Sequence, residues 1–137
     1  MKLNEIRRIL GAEVISGTEL LSINMEMACG CDLMSDVLAF VKSGALLLTG
    51  LTNPQVVRTA EMTDLVAVCF VRGKRPDQET VRIAESKSIP LLMTPLPMFE
   101  SCGRLYRKGL SGCSECERRH QAKPDRVAPG GEVVDAA

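Results

Sequence analysis

Residues 65–100 read LVAVCF, VRGKRP, DQETVRIAESKS, IPLLM and TPLPMFE in succession. The first and fourth segments are apolar runs of strand length, and the third has apolar residues at helical spacing. Pro76 and Asp77 mark the start of that helix. A strand, a helix and a second strand in this order predict a parallel sheet covered by helices.

The residues before and after this stretch continue the alternation. Further helices are predicted over residues 3–10, 32–41 and 54–62, with Asn53 as the N-cap of the third, and a last helix begins at Pro97. Further strands are predicted over residues 12–15, 23–29 and 45–48. The predicted fold class is therefore three-layer α/β, with a mostly parallel sheet of about four to five strands and helices on both faces.

Composition divides the chain into two parts. An α/β domain is predicted over residues 1–109, and a basic, Cys-containing, flexible tail over residues 110–137, where Gly, Pro and charged residues replace the apolar periodicity. The formal net charge is zero, yet residues 104–126 contain seven basic and three acidic side chains. This local excess of positive charge favours an acidic partner.

Composition also argues against several classes of protein. The apolar runs are far shorter than a membrane span, and the start of the chain does not have the pattern of a secretory signal, so we expect a cytoplasmic protein with no membrane partner. With three Phe, one Tyr and no Trp, specific nucleic-acid binding is not expected. The six cysteines are unevenly placed, which favours reduced thiols over a disulfide framework.

Polar and basic residues follow three of the predicted strands. Ligands of open parallel sheets bind beyond the carboxyl ends of the strands, so we expect these turns to form one edge. Hydroxyls, cations and backbone N–H groups suit a small anion such as an adenine nucleotide. The candidate ligand-binding residues are Thr49, Thr52, Asn53, Arg72, Gly73, Lys74 and Thr94, with Ser35 and Asp36 alongside.

The same residues have other interpretations. Basic turns are common on solvated surfaces and at dimer interfaces, and Asn53 is also an expected helix cap. Ser35 and Asp36 stand near a predicted helix start, where such residues usually cap the helix and complement its dipole. The single histidine, His120, lies in the tail, so no nucleophile–histidine pair forms within the domain and we do not expect an enzyme.

The tail contains the spacing most typical of a metal site. Cys113, Cys116 and His120 are separated by two and three residues, and Cys102 on the preceding helix is a candidate fourth ligand for zinc. The cofactor prediction is accordingly none for the domain, with zinc or an iron–sulfur cluster as an option at the tail. The alternatives are exposed thiols, or a redox sensor whose thiol pKa is lowered by Arg118, Arg119 and His120.

Several short segments resemble the DRTGG-domain family in order and spacing. They are GCDLMSDVLA at residues 30–39, TNP at 52–54, GKRPD at 73–77, Ala84, IPLL at 89–92 and TP at 94–95. The chain departs from the family at residues 71–73, where it has VRG in place of a typical Thr-Gly-Gly run. It also has no G-x-x-x-x-G-K-[ST] phosphate loop of the kind that a kinase would use.

The resemblance implies an α/β fold akin to the N-terminal domain of HPr kinase, commonly a homodimer, with a regulatory role. DRTGG domains occur as small separate proteins, some beside hydrogenase genes, and as regulatory parts of phosphotransacetylases and CBS-containing pyrophosphatases. The leading hypothesis is a regulatory module that senses a small anionic ligand. The alternatives are an adaptor for a redox enzyme such as a hydrogenase, and a small metal or thiol redox protein that acts through the tail.

Overall fold

The computed structural model describes residues 1–114, whose strands form one six-stranded sheet. Strands β2 to β6 all run parallel to one another. Strand β1 is the exception, because it pairs antiparallel with β5 at one edge of the sheet. The order across the sheet is β1-β5-β4-β3-β2-β6. The strands are β1 Glu13–Ser16, β2 Met27–Gly30, β3 Leu46–Thr49, β4 Ala67–Phe70, β5 Leu91–Met93 and β6 Ser111–Gly112.

Helices cover both faces of this sheet. The crossovers from β2 to β5 all step in the same direction, which places α2, α3 and α4 on one face, and α5 returns across the other face beside α1. The bounds are α1 Leu3–Leu10, α2 Met34–Phe40, α3 Pro54–Met62, α4 Gln78–Ser86 and α5 Met98–Arg107, with a short 3₁₀ turn at Thr18–Leu20.

The central strands are buried on both faces, as continuous apolar runs in parallel sheets are. Leu47, Val68 and Phe70 pack under α2, α3 and α4. Leu48 and Cys69 point to the opposite face, under α1 and α5. The two helix layers thus rest on one shared sheet, and the predicted three-layer α/β class is confirmed.

Two details of the predicted strands differ from the structure. The strand predicted over residues 23–29 begins at Met27, because the backbone before it bonds the start of α1: the Leu3 N–H donates to the Ile23 carbonyl at 2.9 Å, and the Met25 N–H to the Met1 carbonyl at 2.8 Å. The sheet also has a sixth strand, β6, which lies past the boundary predicted at residue 109. Within residues 1–114, no helix combines the length and apolar character needed to cross a membrane.

Candidate functional site

The carboxyl ends of β2 to β5 meet at one edge of the sheet, as expected for parallel strands. Each of these strands is followed there by a turn, and the turns begin at Cys31, Gly50, Val71 and Thr94. Strand β1 runs the opposite way, so its first residue, Glu13, also reaches this edge. We refer to these turns together as the carboxyl edge.

Asp32 is held in a fixed position at the carboxyl edge. Its Oδ1 atom accepts hydrogen bonds from the Thr49 hydroxyl at 3.0 Å and from the Gly50 N–H at 2.7 Å. A Cβ atom built on Gly50 would lie 3.6 and 3.7 Å from the two Asp32 carboxylate oxygens and 3.7 Å from Nζ of Lys74. The edge therefore brings together a carboxylate, a hydroxyl and an ammonium group from three different turns.

The turn after β4 presents its cations on a rigid backbone. Arg72 and Gly73 both have left-handed backbone conformations, with φ of 62° and 68°. Their N–H groups donate to the carbonyls of Leu96 and Thr94, each at 2.8 Å, and the Lys74 N–H donates to the Val71 carbonyl. The amides of this turn, which the sequence offered as anion donors, are thus already used, whereas the Arg72 and Lys74 side chains are exposed.

The third cation of this turn has a partner. The Arg75 guanidinium donates two hydrogen bonds to the Glu13 carboxylate and forms an ion pair with it. The shorter bond, from Nη2 of Arg75 to Oε2 of Glu13, measures 2.5 Å. Both side chains are about half exposed, so the pair adds little stability. It does orient Arg75 toward β1 and away from Lys74, so we treat Arg72 and Lys74 as the cations of the candidate site.

Three of the predicted ligand-binding residues serve the fold itself. The Thr94 hydroxyl is fully buried, donates to the Leu10 carbonyl at 2.8 Å and accepts from the Leu96 N–H at 3.2 Å. Asn53 caps α3 by accepting from the Gln55 N–H at 3.1 Å, as its alternative interpretation predicted. The Thr52 carbonyl accepts from the Thr80 hydroxyl at 3.1 Å.

Ser35 and Asp36 lie in the first turn of α2 and are exposed. Neither acts as the N-cap, because that position is Leu33, which has no side-chain cap. Asp36 is still placed to complement the helix dipole. Its side chain lines a different feature, a cleft beside α2, and so is not grouped with Asp32 and Lys74.

That cleft, of about 390 Å³, contains three thiols. Cys29 reaches it from β2, Cys31 from the turn that follows β2, and Cys113 from the position directly after β6. Burial, together with the nearby thiols of Cys113, Cys31 and Cys102, raises the pKa of Cys29 to about 12. We call this feature the thiol cleft, and its other lining residues include Asp36, Phe40 and Lys42.

The predicted metal ligands are only partly within the described residues. Cys116 and His120 lie outside them. The Cys102 side chain projects from α5 into the core between the sheet and the layer of α1 and α5. The Cys113 side chain packs on the other face, which α2 covers, so the sheet lies between the two thiols. Among residues 1–114, no three His, Cys, Asp or Glu side chains are arranged to hold a metal ion.

The fold matches a solved regulatory structure. It resembles the crystal structure of the CBS and DRTGG domains of the regulatory region of Clostridium perfringens pyrophosphatase, complexed with the activator diadenosine tetraphosphate. The TM-score is 0.65 at 16% sequence identity, and the match covers 93% of this chain and 52% of that chain. The likeness shows a DRTGG-like fold, in agreement with the predicted resemblance.

Comparisons of sequence alone show less. No protein-family model matches the chain, and no curated protein does. This chain spans about half the length of the pyrophosphatase chain that it matches.

Asp32 is the residue of the carboxyl edge that the sequence analysis did not select. It stands within the segment GCDLMSDVLA, at the predicted start of the helix over residues 32–41, two residues after the carboxyl end of β2 and two before the observed start of α2. That position was the available signal, since the first polar residue after a parallel strand is the one that reaches the ligand edge. The Leu96 carbonyl, which anchors Arg72, has no comparable signal.

Proposed function

We propose that this chain is a regulatory module that binds a small phosphate-bearing ligand of the adenine nucleotide class at the carboxyl edge. The observation that carries the proposal is the conformation of Arg72. A non-glycine residue at φ of 62° is strained, and such residues cluster at ligand-binding and switch sites. Arg72 is nevertheless fixed by a 2.8 Å hydrogen bond to the Leu96 carbonyl, with its side chain in solvent.

In this proposal the phosphates are held by side chains. The amides of Gly50, Arg72, Gly73 and Lys74 all have partners within the protein, so a cradle of backbone N–H groups is not offered by these turns. An arginine and a lysine on one rigid turn supply charge-assisted hydrogen bonds to phosphate oxygens instead. Because the turn is already ordered, little conformational entropy is lost on binding.

Asp32 is proposed to bind the uncharged part of the ligand. Its Oδ1 atom is occupied by Thr49 and Gly50, which orients the carboxylate, and the side chain remains exposed. An oriented carboxylate beside a lysine accepts hydrogen bonds from hydroxyl groups, as acidic residues at such sheet edges do with ribose. A nucleotide offers both a ribose and phosphates, which inorganic phosphate does not.

Regulation would follow from differential binding. A ligand shifts the population of two states only to the extent that it binds one of them better. The carboxyl edge joins the turn after β4 to the turn before α5 through the Arg72–Leu96 and Gly73–Thr94 bonds. A ligand that contacts Arg72 and Lys74 therefore acts on the turn that leads into α5. Binding can in this way change the position of the helix layer formed by α1 and α5.

The test is a titration of reduced full-length protein with ATP, diadenosine tetraphosphate, GTP and inorganic phosphate, followed by thermal unfolding and calorimetry. A ligand at a hundred times its dissociation constant adds about 2.7 kcal/mol, which is a shift of several degrees for a chain of this size. Replacing Arg72 and Lys74 together by Ala should weaken nucleotide binding by about 100-fold or more, because each charged hydrogen bond contributes about 1.5–3 kcal/mol and 1.4 kcal/mol is tenfold in affinity.

The matched control is Lys87→Ala. It also removes an exposed lysine, but from the far end of α4, where Lys87 pairs with Glu61 at 3.2 Å. Its nucleotide affinity should equal that of the wild type. Undiminished affinity of the Arg72/Lys74 double variant would reject the site, and the absence of any shift with every nucleotide would reject the ligand class.

A further inference from the structure

The thiol cleft has a feature that the ligand proposal does not use. Three thiols from the neighbouring strands β2 and β6 and the residues just after them line one cleft on the face covered by α2. Cys29 lies on β2 and Cys31 directly follows its last residue, and both side chains pack against the core on that face. Cys113 packs against the same core as these two, from the residue that follows β6.

The strand register brings two of these thiols side by side. Strand β6 pairs with β2 in parallel, with Met27 opposite Ser111 and Ala28 opposite Gly112. Cys29 and Cys113 are the residues that directly follow the second of these pairs, Cys29 within β2 and Cys113 just after the end of β6. Paired strands lie about 4.8 Å apart, and a disulfide spans roughly 4.4–6.8 Å between Cα atoms, so the two cysteines leave this pair at a separation of the right order.

The Cys113 side chain already points back to β2. Its Sγ atom lies 4.0 Å from the carbonyl oxygen of Ala28, the residue that precedes Cys29. Cys102 approaches β2 from the opposite face, above Gly30. The sheet therefore separates the Cys102 side chain from the cleft, whereas Cys29 and Cys113 both line it.

We propose that Cys29 and Cys113 form a thiol–disulfide exchange site that takes low-molecular-weight disulfides such as oxidised glutathione. In the first step the Cys113 thiolate attacks one sulfur of the small disulfide, forms a mixed disulfide and releases one small thiol. In the second step the Cys29 thiolate attacks Sγ of Cys113, forms the protein disulfide and releases the second small thiol. Two protein thiols are oxidised, and one small disulfide is reduced to two thiols.

The order of the two steps follows from burial. Cys29 is the slower attacker, because burial raises the pKa of its thiol to about 12 and leaves only a small thiolate fraction near neutral pH, so its attack on Cys113 is the slow second step and quickens as the pH rises. Cys113 is the first residue after β6, and we take it as the thiol that the small disulfide meets first. Cys31 shares the cleft, but its Sγ atom lies 3.4 Å from the Leu33 carbonyl oxygen, which directs it toward the start of α2.

The disulfide would change how the end of the sheet is held. Strand β6 has two residues and two register pairs, so it is a minimal edge strand. A covalent bond next to it fixes this edge strand to β2 and narrows the cleft beside α2. The sequence after Cys113 would then leave the sheet from a fixed point. This inference is independent of the proposed ligand site, which lies in other turns.

The test maps the bond in full-length protein that carries Cys116→Ser. This substitution leaves one cysteine in the tryptic peptide 109–118, whereas peptide 9–42 holds Cys29 and Cys31. The reduced protein is treated with oxidised glutathione, its remaining thiols are alkylated, and the digest is analysed by mass spectrometry. We expect a loss of about 2 Da in the intact protein, a covalent link between the two peptides and a thermal midpoint several degrees higher than that of the reduced form.

Single substitutions then identify the partners. Cys31→Ser and the matched control Cys102→Ser should keep the link, and Cys29→Ser should abolish it and leave a glutathione adduct on Cys113. Circular dichroism confirms that each variant is folded before oxidation. A link that persists in Cys29→Ser would assign the pair to Cys31 and overturn the proposal.

Two further outcomes would also overturn it. In the wild-type chain, a disulfide between Cys113 and Cys116 within peptide 109–118 that forms in preference to the link with peptide 9–42 would place the exchange in the tail. Zinc that protects Cys29, Cys31 and Cys113 together from alkylation would identify the cleft as a metal site. Both are read in the same digest.

Discussion

Cys69 lies in the middle of β4 with no exposed surface, and burial raises the pKa of its thiol to about 12. In the unfolded chain the thiol ionises near its ordinary value of 9.0. The raised pKa means that the stability associated with the protonated thiol is complete below about pH 9 and is lost as the pH rises toward 12. The unfolded chain releases this proton first, so alkaline pH favours unfolding.

We therefore predict that Cys69→Ala flattens the alkaline loss of stability. The unfolded thiol is half ionised at pH 9 and almost fully ionised at pH 10, so between these two values the wild type should lose about 1 kcal/mol more than the variant. At pH 7 the variant should be the less stable of the two, because it leaves a small cavity. Urea unfolding at pH 7, 9 and 10 measures both effects, and parallel pH profiles would show that the thiol ionises freely in the folded protein.

Single residues also show which parts of the site a sequence can predict. Asn53 and Asp77 are helix caps, and both were predictable because a cap side chain and the backbone N–H that donates to it lie within three residues of each other. Asp32 and Arg72 were not placed in the same way. Their partners, Thr49 and Leu96, are 17 and 24 residues away, so only the folded sheet brings each pair together.

At the scale of elements, α3 and α4 are joined by Thr80 at the start of α4. Its side chain is fully buried, and its hydroxyl lies 3.1 Å from the Thr52 carbonyl oxygen and 2.6 Å from Oδ1 of Asp77. The hydrogen bonds from the Thr80 hydroxyl and N–H lower the pKa of Asp77. The stability that the Asp77 cap contributes is therefore complete above the ordinary carboxyl pKa. It is lost as the pH falls through the lowered pKa of Asp77 in the folded protein.

We predict that Thr80→Val destabilises the fold by about 1–3 kcal/mol, because it keeps the volume but removes a buried hydroxyl whose single proton is shared between the Asp77 carboxylate and the Thr52 carbonyl. Thr80→Ser is the matched control: it loses a buried methyl group, at about 0.8 kcal/mol, and keeps the hydroxyl. The distinguishing measurement is the Asp77 pKa by NMR. It should rise toward its ordinary value in Thr80→Val and stay low in Thr80→Ser, and an unchanged Asp77 pKa in both would contradict this account.

The elements themselves were predictable to different degrees. The bounds of α3, predicted over residues 54–62, agree with the structure because Asn53 and Pro54 begin the helix by local chemistry. Strand β6 had no such signal. Ser111–Gly112 is too short for an alternating pattern and forms a strand only because β2 offers an open edge beside it.

At the scale of the whole molecule, the return of α5 across the sheet depends on the absence of a side chain at Gly30. A Cβ atom built there would lie 2.7 Å from Sγ of Cys102 and 2.9 Å from Sδ of Met98, both on α5. Either distance is shorter than a normal contact, so α5 rests directly on the backbone of β2. The helix layer that closes the second core is therefore positioned by one glycine on a strand far away in sequence.

We predict that Gly30→Ala destabilises the fold by about 1–3 kcal/mol, because the added methyl group overlaps the Cys102 and Met98 side chains of α5, which must shift to make room for it. Adding Cys102→Ala to this variant should recover part of the loss, since it removes the nearer of the two sulfur atoms, and the two substitutions should therefore be non-additive. Gly103→Ala is the matched control. Gly103 is exposed within α5 with nothing within 4 Å of its Cβ position, so the same change there should stabilise the helix by up to about 1 kcal/mol. Denaturant unfolding of the four variants measures the coupling, and additive effects of Gly30→Ala and Cys102→Ala would mean that α5 does not rest on β2 at this point.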